Sequence, residues 1–193
     1  REPLPRRAEL LLLLLILGLA VFFRLYDLDI RVPLLFYDEA GQGLDALDLL
    51  AGHPSLFFPR SFGKEPLYIY LVVPFVALLG RTILAVRLPA ALVGSLTVLA
   101  TYLLVRELFR PEGEQRSQRM AIFTALLLAL SFWHITLSRI GFRANSLPLI
   151  VALSFLFLWR GLRTRRLRWY LLSGLLLGLA LYTYLAARFL PFF

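Results

Sequence analysis

The sequence predicts an all-α integral membrane protein, with about five transmembrane helices and two juxtamembrane or re-entrant helices in the first outer loop. Three observations carry that prediction. Hydrophobic residues make up 60% of the 193-residue chain and its mean hydropathy is +0.76, well outside soluble globular composition. Apolar runs of a length that crosses a hydrocarbon core of roughly 30 Å as helix recur along the chain. Arginine or proline bounds these runs, and no soluble domain interrupts them.

In chain order, the first span is expected at residues 10–23. A signal peptide would need a small-residue cleavage site after it, but FFRLYDL follows, so the span is retained. An outer loop over residues 24–87 then carries two short helices. Around residues 39–51, AGQGLDALDLLAG places Leu44, Leu47, Leu50 and Ala51 on one side and Asp45 and Asp48 on the other. Gly52 and Pro54 then end a helix that lies on the membrane surface. Residues 66–79 are apolar but short and contain Pro74, which suits a re-entrant or interface-parallel helix better than a crossing. Further spans are expected at 88–105, 120–137, 147–159 and 169–187.

Charge parity supports leaving residues 66–79 out of the count. With a cytoplasmic N-terminus carrying Arg1, Arg6 and Arg7, a crossing there would put RELFRPEGEQRSQR and RGLRTRRLR outside; without it both fall inside, as the positive-inside rule requires. The chain starts at Arg1 without Met and stops at Phe193 in or just after an apolar segment, which reads as the N-terminal part of a longer multi-span domain whose C-terminal remainder is missing.

The net charge of +9, from 21 basic and 12 acidic residues, does not mark a nucleic-acid binder, because most arginines sit beside the ends of apolar runs. Membrane lipids are the expected surroundings. With no cysteine, disulfides and thiolate metal sites are excluded. The arginine-rich, cysteine-free composition points to a bacterial inner (plasma) membrane.

Candidate chemistry lies in the two outer loops. Asp38 and Glu39 stand just before the surface helix. Asp38 reads either as an N-cap or as a general base or metal ligand, since partial desolvation at a membrane boundary raises a carboxylate's pKa. Lys64 and Glu65 precede the re-entrant helix, where they either snorkel and complement the helix N-terminus or face a ligand. Arg139 and Arg143, in SRIGFRANS, are arginines on the outer side and call for a partner, either an anionic group such as phosphate or an internal carboxylate. Arg188, after YTYLAA, raises the same question. His53 and His134 lack a second histidine at ligand spacing and read as structural.

Taken together, YDEAGQG, GKEPLYIYL, RLPAALVGSLTVLATYLLVRELF and SRIGFRANS, in this order over nearly the whole chain, resemble the GT-C glycosyltransferases, in the branch of protein O-mannosyltransferases and bacterial aminoarabinose transferases. The resemblance implies a membrane enzyme that transfers a sugar, with inversion, from a polyprenyl-phosphate donor to an acceptor hydroxyl on a lipid, glycan or protein at the outer face. By analogy Asp38 would be the general base, Glu39 would orient the acceptor or support the base, and Lys64, Arg139, Arg143 and Arg188 would hold the lipid phosphate.

The chain departs from that pattern in the second outer loop, where Ala144 stands in place of an acidic residue. Glu65 replaces a proline of the His/Lys-Pro-Pro-Leu element and could supply the missing charge. A divalent cation, Mg²⁺ or Mn²⁺, suits Asp38, Glu39 and Glu65, but the residues do not decide whether one is used. Two other readings stand beside the enzyme: a transporter or flippase of a lipid-linked or anionic substrate, and a non-catalytic membrane assembly subunit. A transporter should show an inverted repeat and broken or charged helices at mid-membrane, whereas this chain keeps its polar residues at one face.

Overall fold

The computed structural model describes residues 3–30, 34–60 and 63–192; Arg1 and Phe193 lie outside the described residues. It is helical throughout, with no strand among those residues. Helix α1 (Arg6–Leu25) is leucine-rich, and most of its leucines stay exposed, as expected where the solvent is lipid. Helices α2 (Tyr37–Leu50) and α3 (Leu67–Leu79) follow between α1 and the next long helix. Helix α4 (Ile83–Leu108) is the central element, capped at its start by Thr82 Oγ1, which accepts from the Ala85 N–H at 3.2 Å. Helix α4 packs against α1, α2, α3 and the later helices α5 (Glu114–Leu130), α6 (Phe132–Arg139) and α7 (Ser146–Thr164). Helix α8 (Leu167–Ala180) packs on α7, and a 3-10 segment, Leu185–Phe192, ends the described chain.

Three helical stretches, Arg6–Leu25, Ile83–Leu108 and Arg143–Thr164, are long and apolar enough to cross a membrane; a fourth crossing arises if α5 and α6 act as one span bent by 56°. Two expected spans therefore look different from the straight helices the sequence suggests. The stretch 120–137 is broken at Ser131. Arg24, fully buried on α1, donates to the carbonyls of Leu128 and Ala129 at 3.3 Å each and so satisfies groups that a continuing helix would have satisfied itself. The stretch 169–187 is α-helical only to Ala180, then turns and enters the 3-10 segment. Helix α3, at 13 residues, is about 20 Å long and falls short of the hydrocarbon core.

Helix α2 shows how an amphipathic helix behaves when lipid is the solvent. Leu44 and Leu50 are exposed, while Glu39, Gln42 and Asp45 are buried. Three polar side chains of this helix turn inward, while Leu44 and Leu50 turn outward and Leu47 and Leu49 pack against the core beside Ala46.

The molecule has two polar ends. At the basic end, the N-terminal segment meets the connections at 106–119 and 160–168: Glu9 accepts from Tyr102 Oη at 2.6 Å, Arg106 Nε at 2.7 Å and Gln118 Nε2 at 2.9 Å, and Glu107 pairs with Arg160 and Arg163. All three basic segments therefore gather at one end of the molecule. At the loop end, Arg87 and Glu39 join the segment after α1 to α2 and to the connection between α6 and α7, and Glu65 before α3 pairs with Arg143 of that connection. Close packing at the loop end needs small residues: a Cβ on Gly94 of α4 would lie 2.1 Å from Ser138 Oγ of α6.

Candidate active site

Helix α2 begins at Tyr37, with Phe36 at the N-cap position, so Asp38 lies in the first turn and does not cap it. The capping bond comes from Glu39, whose Oε2 accepts from the Phe36 N–H at 2.8 Å. The reading of Asp38 as an N-cap is thereby corrected.

Glu39 is buried and saturated. Its Oε1 accepts from Arg87 Nε and from the Gly141 N–H, each at 2.8 Å, and its Oε2 accepts also from Arg87 Nη2 at 3.1 Å. Burial pushes this carboxyl up, but the Arg87 guanidinium and the two backbone N–H groups outweigh it and hold the pKa below the ordinary carboxylate range. Arg87, equally buried, also donates to the carbonyls of Leu28 at 3.3 Å and Leu34 at 2.9 Å. One ion pair thus fixes α2 to α4, to the segment after α1 and to the connection between α6 and α7. Gly141 must be small there, since a Cβ would lie 3.0 Å from Val86 Cγ1 and 3.4 Å from Glu39 Cγ.

Asp38 differs from its neighbour: 34% of its side chain is accessible, and its Oδ1 lies 3.7 Å from Lys64 Nζ. Lys64 is positioned by a two-bond bridge with Phe58, closed through Gly63 at φ 89°, which puts its fully buried ammonium 3.1 Å from the Asp38 carbonyl oxygen. Burial lowers the Lys64 pKa and Arg143 adds to that, while Asp38 and Asp45 oppose it without cancelling it.

Asp45 lies on α2 and is 3% exposed, with Oδ1 accepting from Arg60 Nε at 2.8 Å. Burial raises its pKa despite Arg60 and Lys64. Its Oδ2 is buried with no hydrogen-bond partner among the described residues, as are both amide atoms of Gln42.

Glu65 pairs with Arg143 at 3.3 Å, and the Arg143 guanidinium lies 5.5 Å from the Tyr184 ring centroid. The internal partner anticipated for an outward arginine is thus present for Arg143. Tyr184 and the start of α3 are tied together, because the Leu67 N–H donates to the Tyr182 carbonyl at 3.0 Å. Arg139 has a different engagement: its guanidinium donates to the carbonyls of Phe23, Tyr26 and Asp27 at 2.7 to 3.0 Å, closing the C-terminus of α1. Arg188 is exposed on the terminal 3-10 segment. His134, read as structural, has Nδ1 2.7 Å from Arg24.

Among the described residues no three histidine or acidic side chains gather into a metal-holding group. Asp38, Glu39 and Glu65 do not form one, because Arg87 takes Glu39 and Arg143 takes Glu65. Sequence reasoning passed over Arg87, Gln42 and Arg60. For Gln42 a signal existed, since Asp38, Gln42 and Asp45 follow an i, i+4, i+7 stripe. For Arg87 and Arg60 no local signal pointed to their partners.

The fold and this cluster define an integral membrane protein with an acidic and basic site at one end of its helices. Residues 61–193 match the family model described as dolichyl-phosphate-mannose-protein mannosyltransferase. That is well over half of the chain, and the chain belongs to this family, membrane glycosyltransferases of the GT-C type. The matched stretch includes Lys64, Glu65, Arg139, Arg143 and Arg188 and begins after Asp38 and Glu39. No curated protein and no solved structure matches the chain.

Proposed function

We propose that the protein transfers a sugar from a polyprenyl-phosphate carrier to an acceptor hydroxyl, with inversion at the anomeric carbon, and that Asp38 is the general base. The observation that carries this reading is the contrast within the DE pair: Glu39 is saturated by four hydrogen bonds, while Asp38 stays partly accessible beside a buried ammonium. A base must be able to reach the acceptor proton, and of the two carboxylates only Asp38 has the room. Glu39 supports the base by seating α2.

Inverting transfer is a single displacement. Asp38 takes the proton of the attacking hydroxyl as the oxygen bonds to the anomeric carbon. The bond from that carbon to the phosphate oxygen breaks and leaves the polyprenyl phosphate as an anion. That leaving group needs cations more than a general acid, and Lys64, Arg143 and Arg188 are of the right type. Arg139 is assigned instead to holding the end of α1. We read the loop end as facing the outside of a bacterial inner membrane, with the basic end in the cytoplasm.

The test uses the full-length protein in membranes, with wild type and Asp38→Asn assayed side by side against a panel of polyprenyl-phosphate sugars. Transfer by the wild type should fall at least about a hundredfold in the variant, the scale of a lost general base. Equal transfer by both would remove Asp38 from the role, and no transfer from any donor by a folded wild type would favour a transporter or an assembly subunit.

A further inference from the structure

Three polar side chains follow one stripe of α2: Asp38, Gln42 and Asp45, spaced i, i+4, i+7. Gln42 is 1% exposed and Asp45 is 3% exposed. Buried polar atoms are normally hydrogen-bonded, yet Gln42 Nε2, Gln42 Oε1 and Asp45 Oδ2 have no partner among the described residues. A core position calls for an apolar residue unless something else supplies the bonds.

Asp45 also lines a cavity of about 460 Å³, within the roughly 300–1,000 Å³ typical of small-molecule sites. The wall includes Asp48, His53, Ser55 and Arg60, with Phe58 supplying an apolar surface. Arg60 bridges Asp45 Oδ1 at 2.8 Å and Asp48 Oδ2 at 2.7 Å, which neutralises the acidic pair and leaves Asp45 Oδ2 as a hydrogen-bond acceptor. A site for a bare cation would not hold an arginine between its two carboxylates. A lining of acceptors and donors beside an aromatic ring suits a neutral polyhydroxylated ring, whose hydroxyls donate and accept and whose C–H face is apolar.

We propose that the cavity and the Gln42–Asp45 stripe form the acceptor subsite, and that the acceptor class is a glycan, bound so that a hydroxyl reaches Asp38 along the same face of α2. This deepens the glycosyltransferase reading and rests on it. Asp45 Oδ2 accepts from a sugar hydroxyl, and the Gln42 amide donates to one and accepts from another. A site built to bond a hydroxyl discriminates strongly against ligands that lack it.

The experiment uses the full-length protein in nanodiscs, with methyl β-glucoside as the polyhydroxylated probe and a serine- and threonine-containing hexapeptide as the comparator. Saturation-transfer NMR without donor reads binding of the glucoside. Asp45→Asn and Gln42→Leu should each weaken it about tenfold, the scale of one lost hydrogen bond to a buried group. In the transfer assay the same variants should raise the acceptor KM about tenfold and leave the donor KM unchanged. Gln42→Leu breaks no ion pair, so it stays informative if Asp45→Asn fails to fold. Preference for the peptide overturns the proposal, as does glucoside binding that changes less than about twofold in both variants. Glucoside binding that is lost in the variants, in a wild type that transfers no sugar, would uphold the subsite and overturn the glycosyltransferase reading instead.

Discussion

The two polar ends of the molecule are built from the same residue types and use them differently. At the basic end, Glu9 is met by Tyr102, Arg106 and Gln118, and Glu107 by Arg110, Arg160 and Arg163. No carboxylate oxygen there is buried without a partner among the described residues. At the loop end, Glu39 is equally well satisfied, but among the described residues Gln42 and Asp45 each keep a buried atom with no hydrogen bond, and Asp38 keeps a carboxylate partly open. A satisfied network holds helices together, whereas unmet donors and acceptors are sites for a ligand. The contrast separates the ends by how completely their charges are met.

The largest effect expected from breaking that contrast is at Arg87. Replacing it with Met strands the Glu39 carboxylate in a buried site, which costs roughly 3–5 kcal/mol and should lower the thermal midpoint in detergent sharply, with loss of transfer activity as α2 leaves its seat. A double variant, Arg87→Met with Glu39→Gln, removes both charges and should recover part of the stability but not the activity. If Arg87→Met is as stable as the wild type, the Glu39 pair does not anchor the loop end.

A smaller effect is expected at the basic end, where Tyr102→Phe deletes one hydrogen bond to Glu9. A bond to a charged group contributes about 1.5–3 kcal/mol, and two other donors remain, so the loss should fall at the low end of that range. The kcat and both KM values should stay at wild-type levels. A drop in kcat beyond about tenfold would mean that the basic end takes part in the reaction and would dissolve the distinction between the ends.

What the sequence disclosed follows the range of the forces involved. Apolar runs and the placement of arginines are local, and they sufficed for an all-helical membrane protein. The break at Ser131 was not legible, because the carbonyls beside it are met by Arg24, more than a hundred residues away. Within the site, the DE and KE pairs stood out as adjacent charges at apolar borders. The division of labour inside the DE pair did not, since it depends on Arg87, 48 positions from Glu39, and on a backbone N–H at Gly141. The same distance hid the engagement of Arg139 with the end of α1, which no spacing rule connects.

The mildest probe of the contrast is pH. The folded pKa of Glu39 lies below its ordinary value of 4.5, so the unfolded chain binds the proton more readily than the folded protein does. Stability therefore rises with pH through the interval between the two values and is flat above it. The contribution of Glu39 is fully present above about pH 5 and is lost as pH falls through the depressed folded value. Thermal midpoints measured from pH 3 to pH 7 should drop at the acid end in the wild type, and less steeply in Glu39→Gln, which has no proton to take up at that position. Parallel curves for the two proteins would mean that the carboxylate is not held ionised by Arg87, and the reason for assigning proton transfer to Asp38 and not to Glu39 would go with it.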